Sequence, residues 1–388
     1  LMFFFEWLSV TDRKTAASRS PASFARSRPF RLGTSAVNAA PLFGSNGRSL
    51  KPAVRELSLP TTDNQQPTTG LTVMPKSQKI IVLGGTGFVG RSLVHALQAA
   101  GHRVDVLSRN RELQRELGVY PDVRTLSTNV YDGAALARRF AGADVVVNLV
   151  GVLQNNGFGG KDFQRAHVAL TETVIAAMKQ AGVPRLLQMS SLRAGEGDSH
   201  YLRSRGQAEA KVKASGLAWT LFQPSVIFGP GDGLFCRFAP LLKLAPVLPL
   251  ARAGARFQPV YVKDVASAFV RARERPDSVG KIYPLVGPKT LSLAELVRWT
   301  AQILGVRRQG LPLPGLFGYL QGLAFDPLPA GLKPFSSDNY KSLALDSVSE
   351  RNGLTELGIR PTPMELVVPE YIGRSEHQRD LDRYRAVR

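Results

Sequence analysis

A single cysteine, Cys236, leaves no partner for an intrachain disulfide and cannot make a metal centre alone, so neither a disulfide framework nor a metal site is expected. Long apolar runs are also missing. No window reaches the roughly 18 uncharged apolar residues of a spanning helix. The closest stretch, residues 309–325, is broken by Pro312, Pro314 and glycines, so it can lie on a membrane but not cross one. Acids are scarce, 30 against 50 Lys and Arg, for a formal net charge of +20. Zinc-finger spacing, RNP-like aromatic motifs and dense basic blocks are absent, and nucleic acid is therefore not the expected partner. An acidic protein or an anionic membrane surface suits the charge better, with plain solubility as the alternative.

The 388 residues suffice for a large core and more than one lobe. Residues 1–76 read as a leader. Arg, Ser, Pro and Thr are scattered there without period, and such a segment buries too little apolar surface to offset its ordering entropy. Two readings compete. An Arg/Ser-rich, acid-poor leader resembles an organellar transit peptide, which would place the protein on the matrix side of the mitochondrial inner membrane. Met74, just before the first apolar run, instead suits a bacterial start preceded by upstream sequence. The second reading is favoured, and it implies the bacterial cytoplasm or the inner-membrane surface.

What the chain does have is Lys79-Ile80-Ile81-Val82-Leu83-Gly84-Gly85-Thr86-Gly87-Phe88-Val89-Gly90. An apolar run stops in glycines and restarts with Leu93, Val94 and Leu97 at helical spacing. This reads as strand, phosphate loop and helix. Gly85-x-Gly87-x-x-Gly90 fits the dinucleotide fingerprint, and Gly84-x-x-Gly87-x-x-Gly90 is an equally available spacing. One glycine allows the tight turn, the next lets a pyrophosphate approach the backbone, and the third lets helix and strand pack closely. The phosphates are expected on the free amides of the helix beginning near Phe88.

Downstream, strands alternate with helices. Strands are expected at 102–108, 123–126, 143–150, 185–190 and 218–223, and helices at 133–140, 162–181 and 205–215. The fold class is α/β: a Rossmann doubly wound parallel sheet with a smaller C-terminal α/β lobe on the substrate side. The expected domains are a dinucleotide-binding domain over 77–230, a mixed lobe over 231–372 with segments returning to the sheet, and a charged tail over 373–388. Asp264 is expected to cap the helix that follows it.

The second strand ends Val106-Leu107-Ser108-Arg109-Asn110. Ser108 stands where an NAD-binding protein carries its ribose-holding acid, and Asp105 lies inside the strand. A basic residue at this point suits a 2′-phosphate. NADP(H) is therefore expected over NAD(H), with Arg109 on the extra phosphate and Arg111 as a second candidate. The alternative is that Arg109 is a solvated turn residue.

These residues resemble the extended and atypical short-chain dehydrogenase/reductases, the NAD-dependent epimerase/dehydratase group. The likeness is carried by the glycine loop, Asn148-Leu149-Val150-Gly151, Met189-Ser190-Ser191, Tyr201-x-x-x-Arg205 and Gln223-Pro224-x-x-Ile227-Phe228-Gly229. Tyr201-Leu202-Arg203-Ser204, Pro259-Val260-Tyr261-Val262-x-Asp264-Val265 and Gly358-Ile359-Arg360-Pro361-Thr362-Pro363 resemble the nucleotide-binding accessory subunits of respiratory complex I and their bacterial relatives.

The resemblance implies a cofactor site of Gly84, Gly85, Thr86, Gly87, Phe88, Val89, Gly90, Ser108, Arg109, Asn129, Val130, Leu149, Val150, Gly151, Tyr201, Arg205 and Pro224. It also implies a Ser/Tyr/Lys mechanism, in which a lysine one helical turn after the tyrosine favours the phenolate. Here Ser191 (or Ser190) and Tyr201 are present, but Arg205 stands in place of the lysine. Its planar fork makes the exchange non-conservative. Two functions stay open: an accessory or assembly subunit of complex I holding NADP(H) structurally, or an active NADP-dependent reductase or epimerase on a quinone- or isoprenoid-like substrate. The apolar stretch 311–325 would line that substrate's cleft or dock on membrane partners.

Arg109→Ala is expected to weaken NADPH binding about tenfold or more while leaving NADH nearly unchanged, as measured by calorimetry. Equal losses would remove the 2′-phosphate assignment.

Overall fold

The computed structural model describes residues 77–109, 117–245, 247–330 and 332–373. The leader, Arg111 and residues 374–388 lie outside the described residues. In chain order the first strands and helices are β1 (Lys79–Leu83), α1 (Phe88–Ala99), β2 (Arg103–Ser108), β3 (Val123–Ser127), α2 (Gly133–Phe140) and β4 (Val145–Asn148). They are followed by α3 (Leu170–Ala181), β5 (Arg185–Met189), α4 (His200–Lys213), β6 (Ala218–Pro224), β7 (Ile227–Phe228), α5 (Phe235–Leu244) and β8 (Val247–Ala251). Then come β9 (Arg256–Phe257), β10 (Val260–Tyr261), α6 (Val262–Glu274), β11 (Ile282–Leu285), β12 (Leu291–Ser292) and α7 (Leu293–Ile303). The last are β13 (Gln309–Leu313), α8 (Gly315–Phe325) and α9 (Ser337–Ser342), with short helical turns at Gly353–Glu356 and Val368–Ile372.

The main sheet has the order β3-β2-β1-β4-β5-β6-β11, parallel throughout. β1 explains why its sequence is apolar without alternation. Ile80 and Val82 face a cluster with Leu93 and Val94 of α1 and Phe269 of α6, whereas Ile81 faces Leu136 of α2 and Val174 of α3. Both faces are buried, as crossover helices require. The strand order reverses between β1 and β4, opening a crevice beyond their carboxyl ends.

The expected helix over 162–181 is broken into a turn at Lys161–Phe163, a π-helical segment at Gln164–Ala169 and α3. α4 begins at His200, five residues before the expected start, and so contains both Tyr201 and Arg205. The segment 309–325 divides at Pro314 into β13 and α8, and among the described residues no helix is long and apolar enough to cross a membrane.

The later segments pair as short ribbons, β7 with β10, β9 with β12 and β8 with β13. Asp232 ties the loop after β7, accepting from the amides of Gly229, Leu234 and Cys236 and from the Tyr371 hydroxyl. Asp264 does not cap α6. The N-cap is Tyr261, and the buried Asp264 carboxylate lies inside the first turn, accepting from Thr362 N (2.7 Å) and Thr362 Oγ1 (2.9 Å). Burial pushes its carboxyl above the usual range, against the pull of the two Thr362 bonds. Asp264 thus closes the segment before Met364 onto α6, a partner 98 positions away.

Thr362→Val deletes one bond to a buried carboxylate and is expected to cost about 1–3 kcal/mol in urea unfolding. An unchanged midpoint would show that Asp264 is satisfied without the hydroxyl.

Candidate dinucleotide site

The glycine loop joins β1 to α1 at the crevice. Gly84 takes φ +78° and its carbonyl accepts from Gly87 N at 3.0 Å, which closes the turn. A Cβ on Gly90 would lie 2.2 Å from Gly84 O and 2.5 Å from Gly85 Cα, and one on Gly85 would lie 2.8 Å from Val106 Cγ1. The helix therefore begins closer to the strand than any side chain permits. Gly87 is the N-cap, and no side chain caps the helix. The first amides of α1 are thus left for a ligand, and the loop fits a pyrophosphate. Thr86 O accepts from Arg91 Nε, and Val89 packs on the core below.

Beyond the ends of β2 and β3, exposed Arg109 lines an open hollow of about 340 Å³ with Ser127, Thr128 and Asn129. Thr128 N donates to Ser108 O at 2.9 Å. Thr128 Oγ1 is buried without a partner. Asn129 Oδ1 accepts from Tyr131 N, and Val130 packs into the core beneath α2. Asp105 is taken by Arg124 in a two-pronged pair (2.8 and 3.0 Å) on the neighbouring strand.

The other end of the crevice lies beyond β4, β5 and β6. Asn148 donates to Gln188 Oε1 and accepts from Val150 N, which fixes the turn through Leu149 and Val150 to Gly151. Arg205 is 6 % exposed, and its guanidinium lies on Gly151, where a Cβ would come within 2.2 Å of Nη2. Nη1 donates to Met189 O at 3.2 Å, and Nε has no partner. The Tyr201 ring centroid is 5.5 Å from Arg205 Cζ. Ser190 and Ser191 are buried at the end of β5, and their hydroxyls are also unpartnered. Pro224 ends β6, its carbonyl accepting from Leu192 N just past these serines. The structure therefore brings Tyr201, Arg205 and Gly151 together, and Arg205 reaches the end of β5 at Met189, directly before Ser190 and Ser191; Arg205 Nε and both serine hydroxyls are buried without partners.

Two contributors have no local signal in the sequence. His167, on the π-helical segment, accepts from Val152 N through Nε2 (3.2 Å), so its proton sits on Nδ1, 2.8 Å from Ser204 Oγ. Ser204 in turn donates to Tyr201 O. Phe163 and His167 both meet the Tyr201 ring, at 5.8 and 5.5 Å between centroids. Burial and the nearby Arg205 charge hold the imidazole down to about 2, so it is neutral. The second contributor is Asp338 of α9, which accepts from His200 N (2.6 Å), Tyr201 N (3.2 Å) and Ser199 Oγ (3.1 Å). It caps α4 from 137 positions away, beside the local cap of Ser199 on Leu202 N. Asn339 of the same helix accepts from Gln154, so α9 braces both walls of this end of the crevice.

His167 has an ordinary value of 6.5 but stays neutral in the folded state down to about 2. The unfolded chain therefore binds one more proton between these limits, and stability is lost as pH falls through that window. Unfolding free energy is expected to fall below pH 6 by about 1.4 kcal/mol per pH unit more steeply in the native protein than in His167→Asn. Parallel slopes would contradict the buried neutral imidazole.

An NAD(P)H-binding family model matches residues 84–233, spanning the glycine loop, β2 to β6 of the sheet and α4. The mouse mitochondrial NADH dehydrogenase (ubiquinone) 1 alpha subcomplex subunit 9 is 32% identical over 321 residues, 77% of this chain and 81% of that protein. A ceramide reductase of Caulobacter vibrioides is 29% identical over 61% of this chain and 73% of its own length. Among solved structures, a nucleoside-diphosphate-sugar epimerase from Staphylococcus aureus shares the fold with TM-score 0.62 at 18% identity, over 74% of this chain and 98% of that one. The chain belongs to the family of the alpha subcomplex subunit 9 proteins, carries an NAD(P)H-binding domain, and shares its fold with the nucleoside-diphosphate-sugar epimerase.

Proposed function

We propose that this chain binds NADP(H) across the crevice and holds it as a structural element of a respiratory NADH:quinone oxidoreductase, as an accessory or assembly subunit. The observation that supports this most directly is the state of Arg205. Where catalysis calls for a mobile ammonium beside the tyrosine, a buried planar cation rests on Gly151 and bonds Met189 O. A guanidinium so placed grips a ribose or amide oxygen well and tunes a phenol poorly. Gly84 to Gly90 would hold the pyrophosphate, and Ser108, Arg109, Asn129 and Val130 the adenosine half. Leu149, Val150, Gly151, Tyr201, Arg205 and Pro224 would border the nicotinamide half. The hollow beside Arg109 supports a 2′-phosphate there, and Asp105, occupied by Arg124, is not available to a ribose hydroxyl. The likeness to mitochondrial subunits supports a position on the matrix side of the inner membrane, or on the corresponding cytoplasmic face in a bacterium.

One observation favours a second reading, an active NADP-dependent reductase on a hydrophobic substrate. The Ser190 and Ser191 hydroxyls are unpartnered and buried beside Tyr201's helix, as a carbonyl-polarising group would be, and one relative carries the name ceramide reductase. When bound, the dinucleotide supplies a transferable hydride. Tyr201 would hold or give the proton at the substrate oxygen, and Ser191 would orient that oxygen.

Purified full-length protein is expected to carry NADP(H) that is released on denaturation and is not oxidised by a panel of carbonyl substrates and quinones. Arg205→Lys is expected to speed nucleotide exchange. Steady turnover that Tyr201→Phe lowers by about a hundredfold or more would overturn the structural reading and establish the second.

A further inference from the structure

α8 is built inside out. Its sequence, Gly-Leu-Phe-Gly-Tyr-Leu-Gln-Gly-Leu-Ala-Phe, holds no charge and a single amide, and the residues it buries are Gly318 and Gly322. A Cβ on Gly322 would lie 2.7 Å from Ser337 N, and one on Gly318 would lie 3.0 Å from Ala251 Cβ. The glycines let α8 lie close against β8 and α9, with Ala251 and the Tyr340 ring packed on Gly318 and the backbone of Ser337 on Gly322. The large side chains point the other way. Leu316 is 67 % exposed, Phe317 60 % and Leu320 47 %, spaced so that they share one face of the helix. Leu311, in the middle of the preceding strand, and Leu332, in the turn that follows, are also exposed by more than half. A helix that packs with glycine and offers Leu and Phe to the surroundings reverses the amphipathic rule, and the reversal makes sense only if something covers it.

The charges around this face indicate what the cover is. From residue 296 to residue 337 the only acid is Asp326, which is 3 % exposed and 3.6 Å from the equally buried Lys333. From residue 233 to residue 263 there is none. Lys243, Arg252 and Arg307 in these stretches are exposed. Arg252 marks the edge of the face. Its Cζ stands 4.4 Å over the Tyr340 ring, whose hydroxyl would touch a Cβ on Gly315, and it holds a left-handed φ of +53° unusual for its side chain.

We propose that the outer face of α8 docks on an anionic lipid surface, with Leu316, Phe317 and Leu320 entering the headgroup boundary and Lys243, Arg252 and Arg307 meeting lipid phosphates. Eleven residues of helix are too few to span a bilayer and enough to lie in its interface. β8, β13 and α8 carry no acid, and exposed Arg252 stands beside the apolar face; an anionic surface is attracted to this pattern, whereas a cationic protein partner would be repelled. This deepens the peripheral placement proposed above, and its test needs no nucleotide.

Full-length protein is mixed with vesicles of phosphatidylcholine alone or of equimolar phosphatidylcholine and phosphatidylglycerol, and the pelleted fraction is measured. Binding is expected to the anionic vesicles only. The Leu316→Ser/Phe317→Ser double variant is expected to lose it about tenfold or more, and Arg252→Gln about fivefold. All these positions are exposed and lie outside the dinucleotide crevice, so thermal unfolding and nucleotide retention should not change. Three results would overturn the proposal: no vesicle binding, equal binding to neutral vesicles, or a double variant that pellets like the native protein. If the double variant instead changes only the oligomeric state in light scattering, the face is an interface between copies, and the lipid proposal is wrong.

Discussion

One close approach governs the crevice. Gly84 O and the backbone of Gly90 sit so near each other that no Cβ fits between them, and the start of α1 is thereby pressed against the end of β1. The consequence is electrostatic as well as steric. With Gly87 as N-cap and no side chain folded back over it, the helix presents bare amides and its positive end to the opening between β1 and β4. The sheet order puts the ends of β2 and β3 on one side of that point and β4, β5 and β6 on the other. Arg109 stands at one end of this opening and Arg205 at the other, where the proposed dinucleotide would meet them.

The second constraint is the cation at the far end. Arg205 cannot shed its charge as a lysine can, so its burial has to be offset by partners. Its surroundings show adaptation at three points. Gly151 leaves room for the guanidinium, Met189 O accepts from Nη1, and His167 stays neutral instead of adding a second charge. Even so, Nε and the Ser190 and Ser191 hydroxyls remain without partners. A buried donor left unmade costs about 1–3 kcal/mol, so a polar ligand at this end of the crevice would relieve a standing cost.

The parts of the fold legible in the sequence were those decided within a few residues. The glycine loop, the apolar strand before it and the helix at 133–140 all rest on local chemistry, and the helix bounds agree with α2. The parts that were not legible depend on contacts far along the chain. The sequence places the start of α4 at Arg205 because nothing near His200 announces that Asp338 will accept its amide. Asp264 looked like a cap because caps are the common use of an Asp before a helix. Its true partner, Thr362, arrives 98 residues later. The π-helical segment that aims His167 at Ser204 leaves no trace in periodicity, since the apolar spacing across 162–181 suits a continuous helix. Glycines within 315–322 read as helix-breaking noise, and only the structure shows them as the buried face of α8.

The central claim is that backbone amides bared by the loop ahead of Phe88 hold a pyrophosphate. Isothermal titration of NADPH and NADH into folded, nucleotide-stripped protein, and into a Gly87→Ala/Gly90→Ala variant confirmed as folded by circular dichroism, tests it most directly. The account predicts heat with the native protein, stronger for NADPH, and a loss of affinity of at least a hundredfold in the variant. No heat with either dinucleotide, or equal binding by the two proteins, would contradict it.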